Sequence, residues 1–240
     1  MSTFNDNITF KERIMIKTRT YYSISHVLGA AQLARLAENI ERTYDGKWSD
    51  ELFHEHRAYV TGSILLSASF LEATINEVFA DADDNSNTVK HLNPEVRVLM
   101  ANMWRLGVHR SAAFSILNKF KLALVFAGKP LMDSGPPYEQ VLHLIKLRNA
   151  LVHYEPEWIT NISEIDSEEV TVSKFEERLM GKFPPNPLVG EENPFFPDRC
   201  LGYGCAKWAL TNSVRFADEF FSRMGLSPTY GHVRSRLKTE

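Results

Sequence analysis

Ile64, Ala68, Leu71, Ile75 and Val78 recur at steps of four, three, four and three residues. Side chains on a strand change face at every residue, whereas residues three and four apart on a helix share one. A chain that carries such a stripe must bury it against other helices. The same period governs most of the remaining sequence and alternating runs are few, so the expected class is all-α, a bundle of four to five core helices with a Pro-rich loop insertion.

Turn and cap signals divide the chain. Residues 10–42 lack proline and predict a first helix, kinked or broken at Gly29 and ended by Asp45-Gly46. Ser49 and Asp50 offer N-caps for the striped helix, which the polar run 81–87 terminates. Pro94 opens a short helix to about Leu106, and Ser111 begins another that runs to Phe126 before Gly128 and Pro130. After Pro136 and Pro137 the sequence YEQVLHLIKLRNALVH predicts a helix that stops by Pro156. Residues 158–172 read as a short strand or hairpin, and SEEVTVSKFEERLM becomes helical toward its end. Five prolines fall in 181–198, yet Phe183, Phe195 and Phe196 favour an ordered loop that packs over a hinge. A last helix spans 200–224 and stops at Gly225. The domain reading is therefore a helical extension over 1–48, one helical domain over 49–225 that includes the loop 181–199, and a frayed basic tail over 226–240.

Length and charge narrow the function. A chain of 240 residues with 44% hydrophobic side chains can bury a sizeable core by itself. With a formal net charge of -3, it has no overall attraction to nucleic acid, so such a partner needs a local basic patch. Cys200 and Cys205 lack the spacing of a redox or zinc pair and read as free thiols with a packing role. No signal peptide precedes the first helix and no run of roughly 18 uninterrupted apolar residues occurs, so the expectation is a cytoplasmic protein without membrane contact. His54 and His56 are two residues apart, which on a helix of about 100° per residue points them away from each other, and neither a metal nor another cofactor is expected.

The chemistry concentrates in LRNALVHYEPEW, residues 147–158. Val141, Leu144, Ile145, Leu151 and Val152 form an apolar stripe with Arg148 in it. A guanidinium on a buried face is costly unless paired, so Arg148 either meets a carboxylate or lines a cleft. Glu72 is the candidate partner, on a narrow polar strip with Ser69 and Asn76; the alternative is a half-exposed glutamate on a solvated edge. Asn149 stacks one turn below His153, while Arg148 and His153 stand about 140° apart on an ideal helix. Lys146 shares the strip of Asn149 and His153, and Tyr154 and Trp158 offer ring faces on which bases can stack.

R-N-A-L-V-H resembles the arginine, four-to-six-residue, histidine motif of the HEPN superfamily, all-helical domains in which a polar residue commonly follows the arginine. SASFLEATINEVF resembles the first core helix of such domains and CAKWALTNSVRFADEFFSRMG their closing helix, so the likeness runs in outline over residues 50–225. The resemblance implies metal-independent RNA cleavage at a composite site between two protomers, to 2′,3′-cyclic phosphate and 5′-OH ends, in a bacterial defence or toxin effector with an antitoxin or regulatory protein as further partner. It assigns catalysis to Arg148 and His153, with Asn149 orienting the imidazole or bonding a phosphate oxygen; the residue pattern itself adds Glu72 as the partner of Arg148, and Lys146 and Tyr154 as candidate substrate contacts. Toxin-type members often carry a tyrosine two residues after the histidine, whereas here Glu155 holds that place and Tyr154 follows at once. The alternative is a catalytically silent helical module that binds a protein or nucleotide partner.

Overall fold

The longest helix begins where its sequence predicts: Ser49 Oγ accepts a hydrogen bond from the Leu52 N–H at 3.1 Å. The computed structural model describes residues 18–47, 49–111, 113–155 and 174–238. Its helices are α1 (Tyr22–Thr43), α2 (Asp50–Asp83), α3 (Pro94–Arg105), α4 (Ile116–Phe126), α5 (Tyr138–Val152), α6 (Lys174–Leu179) and α7 (Tyr203–Met224), with short turns of 3-10 helix at Asn87–Val89 and Gly231–Leu237. No strand occurs among the described residues. The segment 158–172, expected as strand or hairpin, lies outside them.

The stripe on α2 is the centre of the core. Ile64, Ala68, Leu71, Ile75 and Val78 are all buried. By length and composition α2 could cross a membrane, but half of its most apolar window is buried inside the protein.

α1 lies antiparallel along α2. Ser23 donates to Glu77 from its backbone N at 2.8 Å and its hydroxyl at 2.6 Å, so a carboxylate of α2 caps the start of α1. Ser63 Oγ donates to the Ala30 carbonyl at 2.9 Å, and at the other end His56 Nε2 lies 2.8 Å from Glu41 Oε1. His56 is buried and His54 exposed, so the two imidazoles do point apart. Gly29 neither kinks nor breaks α1. A Cβ there would stand 2.9 Å from Leu66 Cδ1, and one at Gly62 would stand 2.7 Å from Leu33 Cδ1, so the two glycines let the helices approach closely. The segment read as an extension is thus built into the core through Val27, Ala30, Ala31, Ala34 and Ala37.

α7 packs against both α1 and α2. The Pro-rich loop is ordered against its start: Phe195 is buried, and Phe183 and Phe196 pack on the core. Gly202 and Gly204 make room for that loop, because added Cβ atoms would meet Asn186 Cα at 2.7 Å and the Pro184 carbonyl oxygen at 2.5 Å. Cys200 and Cys205 are free and buried at the same junction. α7 ends as expected, at Gly225 with φ +69°.

Two further expectations are corrected. Ser115 caps α4, its Oγ accepting from the Asn118 N–H at 3.4 Å, while Ser111 forms only a preceding turn. The tail is docked, since Tyr230 is fully buried with its ring edge-on to Phe70 at 5.1 Å. Its hydroxyl donates to Asp218 at 2.7 Å, and Arg234 grips the same carboxylate with two nitrogens at 2.7 and 2.6 Å. Charged, bidentate pairing of this kind fixes geometry as well as adding energy.

Candidate functional site

α5 is anchored by Val141, Leu144 and Leu147, all fully buried. Leu147 therefore takes the place in the stripe that the sequence pattern gave to its neighbour. Arg148 sits on the edge of the buried face with 28% of its side chain exposed, and Val152, expected in the stripe, is 53% exposed. α5 ends at Val152, and His153 leaves the helix at φ -111°, ψ 54° while its N–H still donates to the Asn149 carbonyl at 2.8 Å. Pro156 has no N–H to give the Val152 carbonyl, so the hydrogen-bond ladder must stop here.

Glu72 does meet Arg148: its Oε2 lies 3.7 Å from Arg148 Nη2. It meets a second cation as well. Lys119 of α4, 1% exposed, places Nζ 3.2 Å from Glu72 Oε1 and 3.1 Å from Asn76 Oδ1. A buried ammonium without a partner is costly by several kcal/mol on the order of its lost hydration. Both acceptors belong to the polar strip of α2, so Lys119 holds Glu72 in place and Glu72 in turn holds one edge of Arg148. With 28% of its side chain exposed, Arg148 is still open in part to solvent, and a guanidinium so placed can bind a phosphate oxygen.

Lys119 was legible but missed. It stands on the apolar stripe of Ile116, Phe120 and Ala123, at i+3 from the first, which is the same anomaly that singled out Arg148. Phe120 beside it packs edge-on against Phe216 and Phe220 of α7 at 5.0 and 4.8 Å, which fixes the position of α4.

The outer strip is arranged differently. Lys146, Asn149 and His153 are all exposed, and His153 makes no side-chain hydrogen bond among the described residues. Tyr154 is 51% exposed, with its ring centroid 6.4 Å from that of Phe196 in the Pro-rich loop. Trp158 lies outside the described residues. Within one chain, then, Arg148 and Glu72 come together, while His153, Asn149, Lys146 and Tyr154 face solvent around the end of α5.

Two cavities lie elsewhere. One, about 10 Å³, has the buried and unpaired Thr74 Oγ1 in its wall beside Glu77 and Asp81. The other, an open cleft of about 270 Å³ between the end of α2 and α3, is lined by Asp83, Asn85, Arg97 and Arg105. No protein family, curated protein or solved structure matches the chain.

Proposed function

We propose that the protein is a metal-independent endoribonuclease of HEPN type, active as a homodimer in which the ends of two α5 helices form one site, in the role of a defence or toxin effector. The observation that carries this reading is the contrast at the end of α5: Arg148 is braced by Glu72 and buried Lys119, while His153, just past the last helical turn, is exposed and has no side-chain hydrogen bond among the described residues. A cleavage site needs a positioned cation and an accessible imidazole, and a two-fold pairing of α5 ends would bring copies of both to one substrate.

In this mechanism one His153 imidazole takes the proton of a ribose 2′-OH, and the 2′ oxygen attacks the adjacent phosphorus. The P–O5′ bond breaks as the partner subunit's His153, in its protonated form, gives a proton to the departing oxygen. Arg148 stabilises the charge on the equatorial oxygens, and Asn149 donates to the phosphate or orients the imidazole. The products are a 2′,3′-cyclic phosphate and a 5′-OH end, and two copies of one histidine supply the base and the acid.

The competing reading is a catalytically silent helical module that binds a protein or nucleotide partner through the same region. RNA cleavage in EDTA separates the two. Wild-type protein that yields 5′-OH ends, with activity lost in His153→Ala and Arg148→Ala, supports the nuclease; folded, dimeric wild type inert toward varied RNAs supports the module.

A further inference from the structure

His143, Lys146, Asn149 and His153 fall at steps of three, three and four along α5, on one outer strip that ends at the candidate site. α6 packs beside this helix, held by buried Leu179. Lys182 and Phe183 follow α6, and the Phe183 ring lies 5.4 Å from Trp208, whose indole N–H donates to Gln140 of α5 at 3.1 Å. That chain of contacts seats the segment carrying Arg178 and Lys182 next to the first half of α5. Lys146, Arg178 and Lys182 are exposed.

The electrostatics agree with the placement. Burial, and then the charges of Lys182, Lys146 and Arg178, push the His143 imidazole below its ordinary range, with Glu139 acting in the opposite sense. Its Nδ1 is buried with no hydrogen-bond partner. Three cations thus crowd one half-buried histidine, and none of the three has a carboxylate within salt-bridge distance among the described residues. In a chain with formal net charge -3, such local like-charge crowding is an unfavourable arrangement that a polyanion relieves.

We infer that Lys146, Arg178 and Lys182 form a backbone-binding lane for single-stranded RNA, which leads the strand along the outer strip of α5 to Asn149 and His153. The inference rests on the nuclease reading for its choice of polyanion. The lane contacts phosphates and carries no base preference; the exposed Tyr154 ring at its end supplies the first stacking surface.

The test measures binding apart from cleavage. His153→Ala protein is titrated in EDTA with a fluorescent single-stranded RNA oligonucleotide over a series of salt concentrations. The same background carrying Lys146→Ala, Arg178→Ala and Lys182→Ala is compared with one carrying Lys47→Ala, Lys90→Ala and Lys129→Ala, three exposed cations elsewhere. Loss of three single-strand phosphate contacts should weaken binding about tenfold or more and reduce the slope of log K against log salt by about 2, while the control triple leaves both unchanged. Equal affinity and slope in the lane triple, an equal loss in the control, or no RNA binding by the His153→Ala parent overturns the lane. Wild-type cleavage, measured separately, distinguishes the two readings: a lane that binds without cleavage leaves the nuclease wrong and the lane standing, and cleavage with an indifferent triple does the reverse.

Discussion

Lys119 and Arg148 approach opposite oxygens of one carboxylate, from two different helices: Lys119 Nζ is 3.2 Å from Glu72 Oε1, and Arg148 Nη2 is 3.7 Å from Glu72 Oε2. The buried cation fixes the carboxylate, and the carboxylate steers the half-exposed one.

Glu72→Gln removes the countercharge and leaves an ammonium buried. It should destabilise the fold by about 1–3 kcal/mol, below the figure for a fully buried pair because Glu72 is 41% exposed. It should also lower RNA cleavage by roughly 100-fold through a displaced Arg148. Lys119→Met, which removes the buried charge itself, should stay within about 1 kcal/mol of wild type. Urea unfolding of the two variants checks the order, and stability equal in both would refute the brace.

His153→Ala should separate activity from stability. The side chain is exposed, so unfolding free energy should move by no more than about 0.5 kcal/mol. Cleavage should fall by about 100-fold to 10,000-fold, the range of a lost general acid or base. Thermal melts alongside single-turnover cleavage read both.

Val152 and Tyr154, 53% and 51% exposed, flank His153 and offer apolar surface to a second copy at the end of α5. In the proposed homodimer, Val152→Asp with Tyr154→Asp should yield monomer in sedimentation velocity and abolish the proposed cleavage without a lower melting temperature. A dimer that persists would place the interface elsewhere.

Acid should weaken the fold through histidines whose pKa burial lowers, His26, His109 and His143, of which the last two also feel neighbouring cations. Burial lowers the pKa of His109, with Arg110 and Lys119 adding to it, and burial with its neighbouring cations lowers that of His143. The unfolded chain therefore binds more protons than the folded one just below the ordinary value of 6.5. Stability from these groups is full above that pH and is lost as pH falls through their folded pKa values. His109→Gln with His143→Gln should flatten the decline in urea-unfolding stability between pH 7 and about 5 relative to wild type; an unchanged slope would refute the assignment.

Features that depend on one helix at a time were readable from the sequence. The α2 stripe, the Ser49 cap, Pro94 at a first turn and the Gly225 stop all follow from local period and capping chemistry. Features set by a neighbour were not. Gly29 reads as a breaker until Leu66 of the facing helix is known, and Gly202 and Gly204 read only as the start of the last helix until the Pro-rich loop is seated on them. Arg148 does meet Glu72, as its place in the pattern suggests, but the pattern alone does not show that Leu147 fills the buried position and leaves Arg148 at its edge. Lys119 carried the same anomaly, and its partners became visible only with α4 laid across the polar strip of α2.

The docked turn after Gly225 has a consequence for the order of events in the cell. Phe70 and Phe221 receive Tyr230 as their covering ring, and Arg35 of α1 donates to the carbonyl of Arg236 at 2.9 Å. Chains are made from the N-terminus, so α1 and α2 leave the ribosome long before the residues that complete their packing. The core is therefore complete only once residues 230–236 have emerged, and until then the aromatic face that Tyr230 covers stands open.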